Sequence, residues 1–225
     1  MEAVSRPRAA LSWSSGKDCA FALHKVRQGG EVEVTAALTT TNAAFDRVAM
    51  HGTRNALLRR QVAAMGLEPI EVPLPWPCSN AEYEACMETA LAALHERGIT
   101  HMVFGDLFLE DVRAYREAQL AGTGITPLFP LWGRDTAALA REMIATGFEA
   151  RIATLDPSKI PADLAGARFD ADFLDALPAG VDPCGERGEF HTALLAGPIF
   201  SAPIAVELGE VVTRDGFTYA DIVPV

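Results

Sequence analysis

Short apolar strands alternate with helical segments along the first two thirds of this chain, and this alternation constrains the fold more than any other feature. Five segments are predicted to be strands: 9–13, 33–39, 69–73, 101–105 and 149–155. Five others have the apolar spacing of helices: 18–28, 52–65, 79–97, 109–120 and 136–146. Strands that alternate with helices are joined by right-handed crossovers and form a mostly parallel sheet. We therefore predict an α/β fold with a five-stranded, doubly wound, mostly parallel sheet.

The last part of the chain has a different pattern. Two strands are predicted at 203–212 and 216–223, and Asp215-Gly216 between them is typical of a hairpin turn. This pattern predicts a small β-rich C-terminal addition. We expect the α/β domain to span residues 1–156 and the C-terminal region with antiparallel strands to span residues 157–225.

A polar turn, Ser12-Trp13-Ser14-Ser15-Gly16-Lys17-Asp18, joins the first strand to the first helix. Backbone N–H groups at a helix N-terminus bind anions, and glycine lets an anion approach the backbone closely. Lys17 adds a positive charge, and Asp18 is placed to help hold Mg²⁺. The Walker pattern is absent, because no glycine precedes Gly16 at the required spacing and Asp18 follows Lys17. We predict an ATP site here, against the alternative of a polar turn without a ligand.

Charge and hydropathy exclude several classes of partner. The formal net charge is −11 and no block of basic residues is present, which argues against nucleic acid as the main partner. No apolar run approaches the roughly 20 residues of a membrane helix, so no membrane is expected. The first eight residues lack the apolar core of a secretion signal, and we expect a cytoplasmic location. No two of the four cysteines have the spacing of zinc ligands.

Two motifs resemble a known enzyme family. The segment from Ser14 to Cys19 is similar to the PP-loop pattern SGGxDS, with Ser15 in place of the first glycine and Cys19 in place of the final serine. The segment 182–192, Asp-Pro-Cys-Gly-Glu-Arg-Gly-Glu-Phe-His-Thr, resembles CGExGEYET of the diphthine–ammonia ligases. These enzymes belong to the PP-loop ATP pyrophosphatase, or adenine nucleotide alpha hydrolase, superfamily. Further matches in chain order are Gly105, Arg113, Glu117, Leu131-Trp132, the run 141–144, Pro198 and Phe200.

The resemblance implies a HUP/PP-loop fold and an ATP-dependent, AMP-forming ligase. Such an enzyme binds ATP with Mg²⁺, adenylates a carboxylate, releases pyrophosphate and lets ammonia displace AMP. The sequence departs from the family where His191 replaces a glutamate and where Asp106 replaces a residue that is often small. Both changes are expected near the acceptor. They leave the acceptor, a small molecule or a protein-borne carboxylate, unnamed.

The motifs and the strand ends give the candidate site residues. Expected catalytic residues are Lys17, Asp18, Glu186 and Glu189, with Asp18 as the metal ligand. Expected ATP-binding residues are Ser12, Ser14, Ser15, Gly16, Lys17, Asp18, Cys19, Thr39, Thr40, Gly105 and Asp106. Expected acceptor-binding residues are Arg113, Glu117, Gly185, Glu186, Gly188, Glu189, His191 and Thr192.

Several of these residues have a second interpretation. Glu186 and Glu189 would orient ammonia, bind Mg²⁺ or bind an amine, or else lie in a solvated turn. Arg113 and Glu117 have the i,i+4 spacing of a surface ion pair. His51, before a helix, is either a ligand contact or a structural hydrogen-bonding group. Cys184 would be a nucleophile in a sulfur-transferring enzyme, but a small buried residue is favoured.

Two other functions remain open at this point. One is a thiolation enzyme of the same superfamily, which requires a catalytic cysteine and tRNA binding. The other is a module that binds ATP or AMP without chemistry. An assembly of identical subunits is also left open.

Overall fold

The structure of the chain, a computed structural model, describes residues 6–48 and 52–225. The strands are β1 (Arg8–Ser12), β2 (Glu33–Asn42), β3 (Arg47–Val48), β4 (Glu68–Leu74), β5 (Ile99–Val103), β6 (Thr126–Leu128), β7 (Glu149–Leu155), β8 (Phe190–Ala196), β9 (Val206–Arg214) and β10 (Phe217–Pro224). The helices are α1 (Lys17–Gly29), α2 (Asn55–Met65), α3 (Asn80–Glu96), α4 (Glu110–Leu120), α5 (Thr136–Ala145) and α6 (Ala171–Ala176), with a short 3₁₀ turn at Ala162–Leu164.

The main sheet has five parallel strands in the order β4-β2-β1-β5-β6. The two-residue β3 pairs antiparallel with the end of β2. Central β1 is paired on both sides, with Leu11 opposite Ala37 on β2 and Val103 on β5. The prediction of an α/β fold with a five-stranded, mostly parallel sheet is confirmed.

The two faces of the main sheet pack against different helices. Ala9 and Leu11 point into one apolar cluster, which includes Phe21 of α1 and residues of α2 and α5. Ala10, between them in sequence, points into the other cluster with Leu91 of α3. Successive strand side chains alternate between faces, so a central strand that is apolar at every position requires helices on both sides. The doubly wound arrangement follows from this pattern.

The second sheet is antiparallel, in the order β8-β7-β10-β9. The predicted strand 149–155 exists as β7, but it lies in this sheet, between β8 and β10. The fifth parallel strand is instead β6, a three-residue strand that contains Pro127 and gave too short a pattern to be predicted. Strands of the second sheet thus come from both sides of residue 156, and the proposed domain boundary stays a prediction.

Local sequence signals set the ends of several elements. Ser79 and Glu82 form a capping box at the start of α3, and Gly30 and Gly66 end α1 and α2 in the left-handed conformation. Asp215 and Gly216 both have positive φ, of 52° and 84°, as a two-residue hairpin turn requires. In the described ranges, no helix is long and apolar enough to cross a membrane.

Candidate functional site

The turn after β1 has a backbone conformation that is uncommon for residues with side chains. Gly16 is the N-cap of α1, with extended backbone and no side-chain cap. Ser15 has φ of 75°, in the left-handed region that side chains disfavour, at the position where the pattern has glycine. The serine therefore adopts a conformation that glycine adopts more readily.

Gln61 of α2 holds this turn in place. Its side chain is fully buried, and its Oε1 accepts a hydrogen bond of 2.7 Å from the Ser15 hydroxyl. Its Nε2 donates to the carbonyl oxygens of Ser15, at 3.2 Å, and Leu194, at 2.7 Å. Gln61 was not among the predicted site residues. The only signal was a polar residue within the apolar face of a predicted helix.

The second motif packs directly on the first one. The backbone N–H of Lys17 donates to the Thr192 hydroxyl at 3.0 Å, and the N–H of Leu194 donates to the Ser15 carbonyl at 2.9 Å. A Cβ on Gly16 would lie 3.4 Å from the Thr192 carbonyl oxygen. Lys17 and Thr192 are 175 residues apart in the chain. The two motifs nevertheless form one site, because β8 lies against the N-terminus of α1.

Gly105 allows an even closer contact. It follows β5, and a Cβ at this position would lie 2.5 Å from the backbone nitrogen of Cys19 and 2.7 Å from the carbonyl carbon of Asp18. Both are atoms of the first turn of α1, so a flexible side chain cannot move aside to make room. Glycine is required here for close approach of two backbones.

The Lys17 side chain is buried on the interior side of the turn, with a relative exposure of 2%. Its Nζ contacts the Asp18 carboxylate at 2.9 Å, donates to the Cys184 carbonyl at 2.5 Å, and lies over the rings of Phe169 and Phe190. Burial, the largest single effect, lowers the pKa of Lys17, but the nearby negative groups, of which the Asp18 carboxylate is the strongest, together outweigh it, and the pKa lies above its usual value. The ammonium group of Lys17 therefore contacts both motifs from the protein interior.

The two glutamates of the second motif have different environments. Glu186 Oε1 accepts a hydrogen bond of 2.7 Å from the N–H of Leu107, and burial raises the pKa of Glu186 to about 7. Glu189 is buried, and its carboxylate accepts from the N–H groups of Asp182, at 3.3 Å, and Arg187, at 2.9 Å. Glu189 thus shapes the loop that presents Glu186.

The glycines of this loop also differ from one another. Gly185 and Gly188 both have positive φ, of 73° and 77°. A Cβ on Gly185 would lie 2.7 Å from the Phe190 carbonyl oxygen, whereas one on Gly188 would meet nothing within 4 Å. Gly185 is therefore required both for backbone conformation and for space.

Helix α4 directs Arg116 toward the site and Arg113 away from it. Arg113 Nε donates to Glu117 at 2.8 Å, and its guanidinium stacks on Phe129 and Trp132 near the surface. Arg116 lies one turn later, with its guanidinium 5.1 Å from the centre of the Phe104 ring and its Nε 4.0 Å from the Asp106 carboxylate. Arg113 and Glu117 were among the predicted site residues, whereas Arg116, on the same helix, was not.

Two adjoining cavities open at the carboxyl ends of the parallel strands. The first, which we call the strand-end cavity, has a volume of about 420 Å³ and is lined by residues that follow or end β1, β2, β4 and β5. The second, the loop cavity, measures about 390 Å³. The two cavities share Ser12, Ser14, Phe104 and Arg116. Ligands of open α/β sheets bind at this edge.

Most predicted site residues meet in these cavities. The loop cavity is lined by Ser12, Ser14, Gly16, Asp18, Cys19, Gly105, Asp106, Gly185, Glu186, His191 and Thr192, and the strand-end cavity includes Thr40. The predicted residues that line neither cavity are Ser15, Lys17, Thr39, Arg113, Glu117, Gly188 and Glu189. A wider groove between α3 and α4 contains none of the predicted residues.

Several of these residues have further contacts. The Thr39 hydroxyl donates to the Trp13 carbonyl at 2.8 Å, which joins β2 to the end of β1. The Cys19 thiol donates to the Gly16 carbonyl, and burial raises the pKa of this thiol. Burial lowers the pKa of His191 to about 4, so the imidazole is neutral at pH 7. His51 lies outside the described residues.

Cys184 does not have the surroundings of a nucleophile. It is buried, its thiol donates to the Thr136 carbonyl at 3.4 Å, and burial raises its pKa above the usual value. A reactive thiol requires a lowered pKa and access to solvent. This environment disfavours sulfur transfer through Cys184.

The oxygen donors of the loop cavity fit Mg²⁺. Asp18, Asp106 and Glu186 are the carboxylates among its lining residues. Within residues 6–48 and 52–225, no group of three or more ligating side chains is close enough to hold a metal by itself. Mg²⁺ bound to nucleotides usually takes one or two protein carboxylates and completes its shell with phosphate oxygens and water. A single ligand such as Asp18 is compatible with that mode.

Comparisons with known proteins agree with the motifs. Residues 135–222 match the family model described as "Diphthamide synthase C-terminal domain". Proteins named diphthine–ammonia ligase are similar to the chain: that of Rattus norvegicus is 29% identical over 171 residues, and that of Homo sapiens 28% over 175. Each of these two alignments covers 74% of this chain and 63% of the relative. The chain therefore spans less than two thirds of the length of these relatives.

Proposed function

Because this chain is related to the diphthine–ammonia ligases, we propose that it is an ATP-dependent ligase that adenylates a carboxylate and amidates it with ammonia. The observation that carries the proposal is the meeting of two distant motifs in one cavity. Residues of the turn Ser14–Asp18 and of the segment 185–192 line the loop cavity, which shares four lining residues with the strand-end cavity.

The proposed nucleotide lies across both cavities. The nucleoside occupies the strand-end cavity, where Thr40 and the ends of the parallel strands line the wall. The β- and γ-phosphates lie at the turn Ser14–Asp18, where the backbone N–H groups and the N-terminus of α1 attract negative charge. Asp18 holds Mg²⁺, which when bound offsets the charge of the departing pyrophosphate.

The chemistry proceeds in two balanced steps. An oxygen of the acceptor carboxylate attacks the α-phosphorus and forms a bond to it, and the bond between the α-phosphorus and the bridging oxygen of the leaving pyrophosphate breaks. Ammonia then attacks the carbonyl carbon, the C–O bond to AMP breaks, and one proton is released. Glu186, with its pKa of about 7 and its place in the loop cavity, is the proposed acceptor of that proton.

Product analysis tests this function. We would incubate the chain with Mg-ATP, ammonium chloride and a small-molecule or protein fraction of a cell extract, and measure AMP, pyrophosphate and ADP. We expect AMP and pyrophosphate in equal amounts. Glu186→Gln keeps the hydrogen bond from Leu107 but not the titrating carboxylate, so turnover should fall about 10²-fold or more. Glu210→Gln, at an exposed carboxylate of β9 that lines neither cavity, is the matched control and should keep wild-type turnover.

Two results would contradict the proposal. Release of ADP in place of AMP would indicate attack at the γ-phosphorus and a different class of enzyme. Binding of Mg-ATP without turnover in any fraction would favour a nucleotide-binding module without chemistry.

A further inference from the structure

Arg116 lies where the two cavities meet and is one of the four residues that line both. Among the described residues that line either cavity, it is the only lysine or arginine. Lys17 is buried beneath the turn, and His191 is neutral at pH 7 because burial lowers its pKa to about 4. Arg116 therefore supplies the fixed positive charge in the lining of the loop cavity, which also contains the carboxylates of Asp18, Asp106 and Glu186.

The guanidinium of Arg116 is held in position but not saturated. It stacks on Phe104, and its Nε is buried with no hydrogen-bond partner in residues 6–48 and 52–225. The nearest carboxylate, that of Asp106, lies 4.0 Å away, which is too long for a hydrogen bond. A buried N–H without an acceptor is unfavourable, and a guanidinium binds oxyanions with two parallel N–H groups. Arg113 differs, since its Nε already donates to Glu117 at 2.8 Å.

We propose that Arg116 forms an oxyanion subsite at the junction of the two cavities and binds the α-phosphate of the nucleotide. The proposal rests on the function proposed above, in which the nucleoside fills the strand-end cavity and the terminal phosphates lie at the turn. In a nucleotide that extends between these two places, the group at the junction is the first phosphate. Ser12 and Ser14, the two polar residues shared by the cavities besides Arg116, lie at the same point.

This position gives Arg116 a role in recognition of the reacting group. The α-phosphate is the group attacked by the acceptor, and its oxygens gain negative charge in the transition state. A guanidinium already oriented by Phe104 would stabilise this charge with little reorganisation. The neighbouring carboxylates of Asp106 and Glu186 would otherwise repel the phosphate.

The test measures by calorimetry how tightly the full chain binds adenosine, AMP and Mg-ATP. These three ligands differ in their phosphate groups. The variant Arg116→Met keeps an unbranched side chain over Phe104 and removes the charge. We expect AMP and Mg-ATP to bind about tenfold more weakly or worse, since one charge-assisted contact is lost. Adenosine should bind within about twofold of the wild type, because it has no phosphate. Arg113→Met on the same helix is the matched control and should leave all three affinities unchanged.

A second variant keeps the test decisive if Arg116→Met folds poorly. Arg116→Lys retains the charge but not the paired N–H groups, and we expect an intermediate loss of AMP affinity. Wild-type AMP affinity in a folded Arg116 variant would overturn the subsite while leaving the proposed function intact. An equal loss for adenosine and AMP would also overturn it, because Arg116 would then only shape the cavity. Absence of any nucleotide binding by the wild type would overturn both proposals.

Discussion

The contact between Gly105 and the first turn of α1 gives the sharpest prediction from the structure. In Gly105→Ala, the new Cβ would lie 2.5 Å from the Cys19 nitrogen and 2.8 Å from the Cys19 Cα. Non-bonded heavy atoms prefer separations of about 3.5 Å or more, so one backbone must move by about 1 Å. Both candidates for movement are part of the site: the strand-end segment before Asp106 and the N-terminus of α1.

Two effects should follow from this movement. Overpacking of this kind destabilises a protein by about 1–3 kcal/mol, which a shift of the urea midpoint at unchanged m-value would report. The N–H groups at the start of α1 would also move relative to the position proposed for the phosphates. Loss of one charge-assisted contact weakens Mg-ATP binding about tenfold or more, measurable by calorimetry.

Gly29→Ala in the same helix is the matched control. A Cβ on Gly29 meets nothing within 4 Å, and Gly29 is not in the left-handed region. Alanine favours helix by up to about 1 kcal/mol relative to glycine, so this variant should be at least as stable as the wild type and should bind Mg-ATP equally. Wild-type stability and affinity in Gly105→Ala would refute the argument that close backbone approach holds the site together.

Two further predictions concern the buried polar groups of the site. Gln61→Met should lower the free energy of unfolding by roughly 2–5 kcal/mol in urea titrations, because the Ser15 hydroxyl and the Leu194 carbonyl each lose a buried partner; a loss below about 0.5 kcal/mol, the scale of a surface substitution, would contradict this role. Glu186, with a folded pKa of about 7 against 4.5, contributes stability below pH 4.5 that is lost as the pH rises to about 7. His191, with a folded pKa of about 4 against 6.5, contributes stability above pH 6.5 that is lost as the pH falls to about 4. Because the two effects overlap, the effect of Glu186 is isolated only by the difference in the free energy of unfolding between wild type and Glu186→Gln. That difference should shift in favour of the variant from pH 4.5 to 7 and then level off, and a difference that does not vary with pH would show that Glu186 titrates normally.

The sequence by itself determined the features that depend on neighbours along the chain. Helix ends at Gly30 and Gly66, the capping box of Ser79 and the hairpin at Asp215 follow from local backbone preferences, which act over a few residues. The fold class follows from apolar periodicity, because strands buried on both faces need helices on both sides. The turn Ser14–Asp18 and the second motif were also visible as patterns of residue types.

Only the tertiary structure decided which side chains meet. The pattern of the strand 149–155 does not specify its partners, and pairing with β8 and β10 placed it outside the parallel sheet. Arg113 and Arg116 lie one helical turn apart on α4, and the sequence does not show which of them faces the cavities; the rotation of α4 turns only Arg116 into them. Lys17 lies beneath its turn because the rings of Phe169 and Phe190, far along the chain, form its surroundings. Side-chain direction, burial and the resulting pKa values depend on packing between distant segments, and no local pattern carries that information.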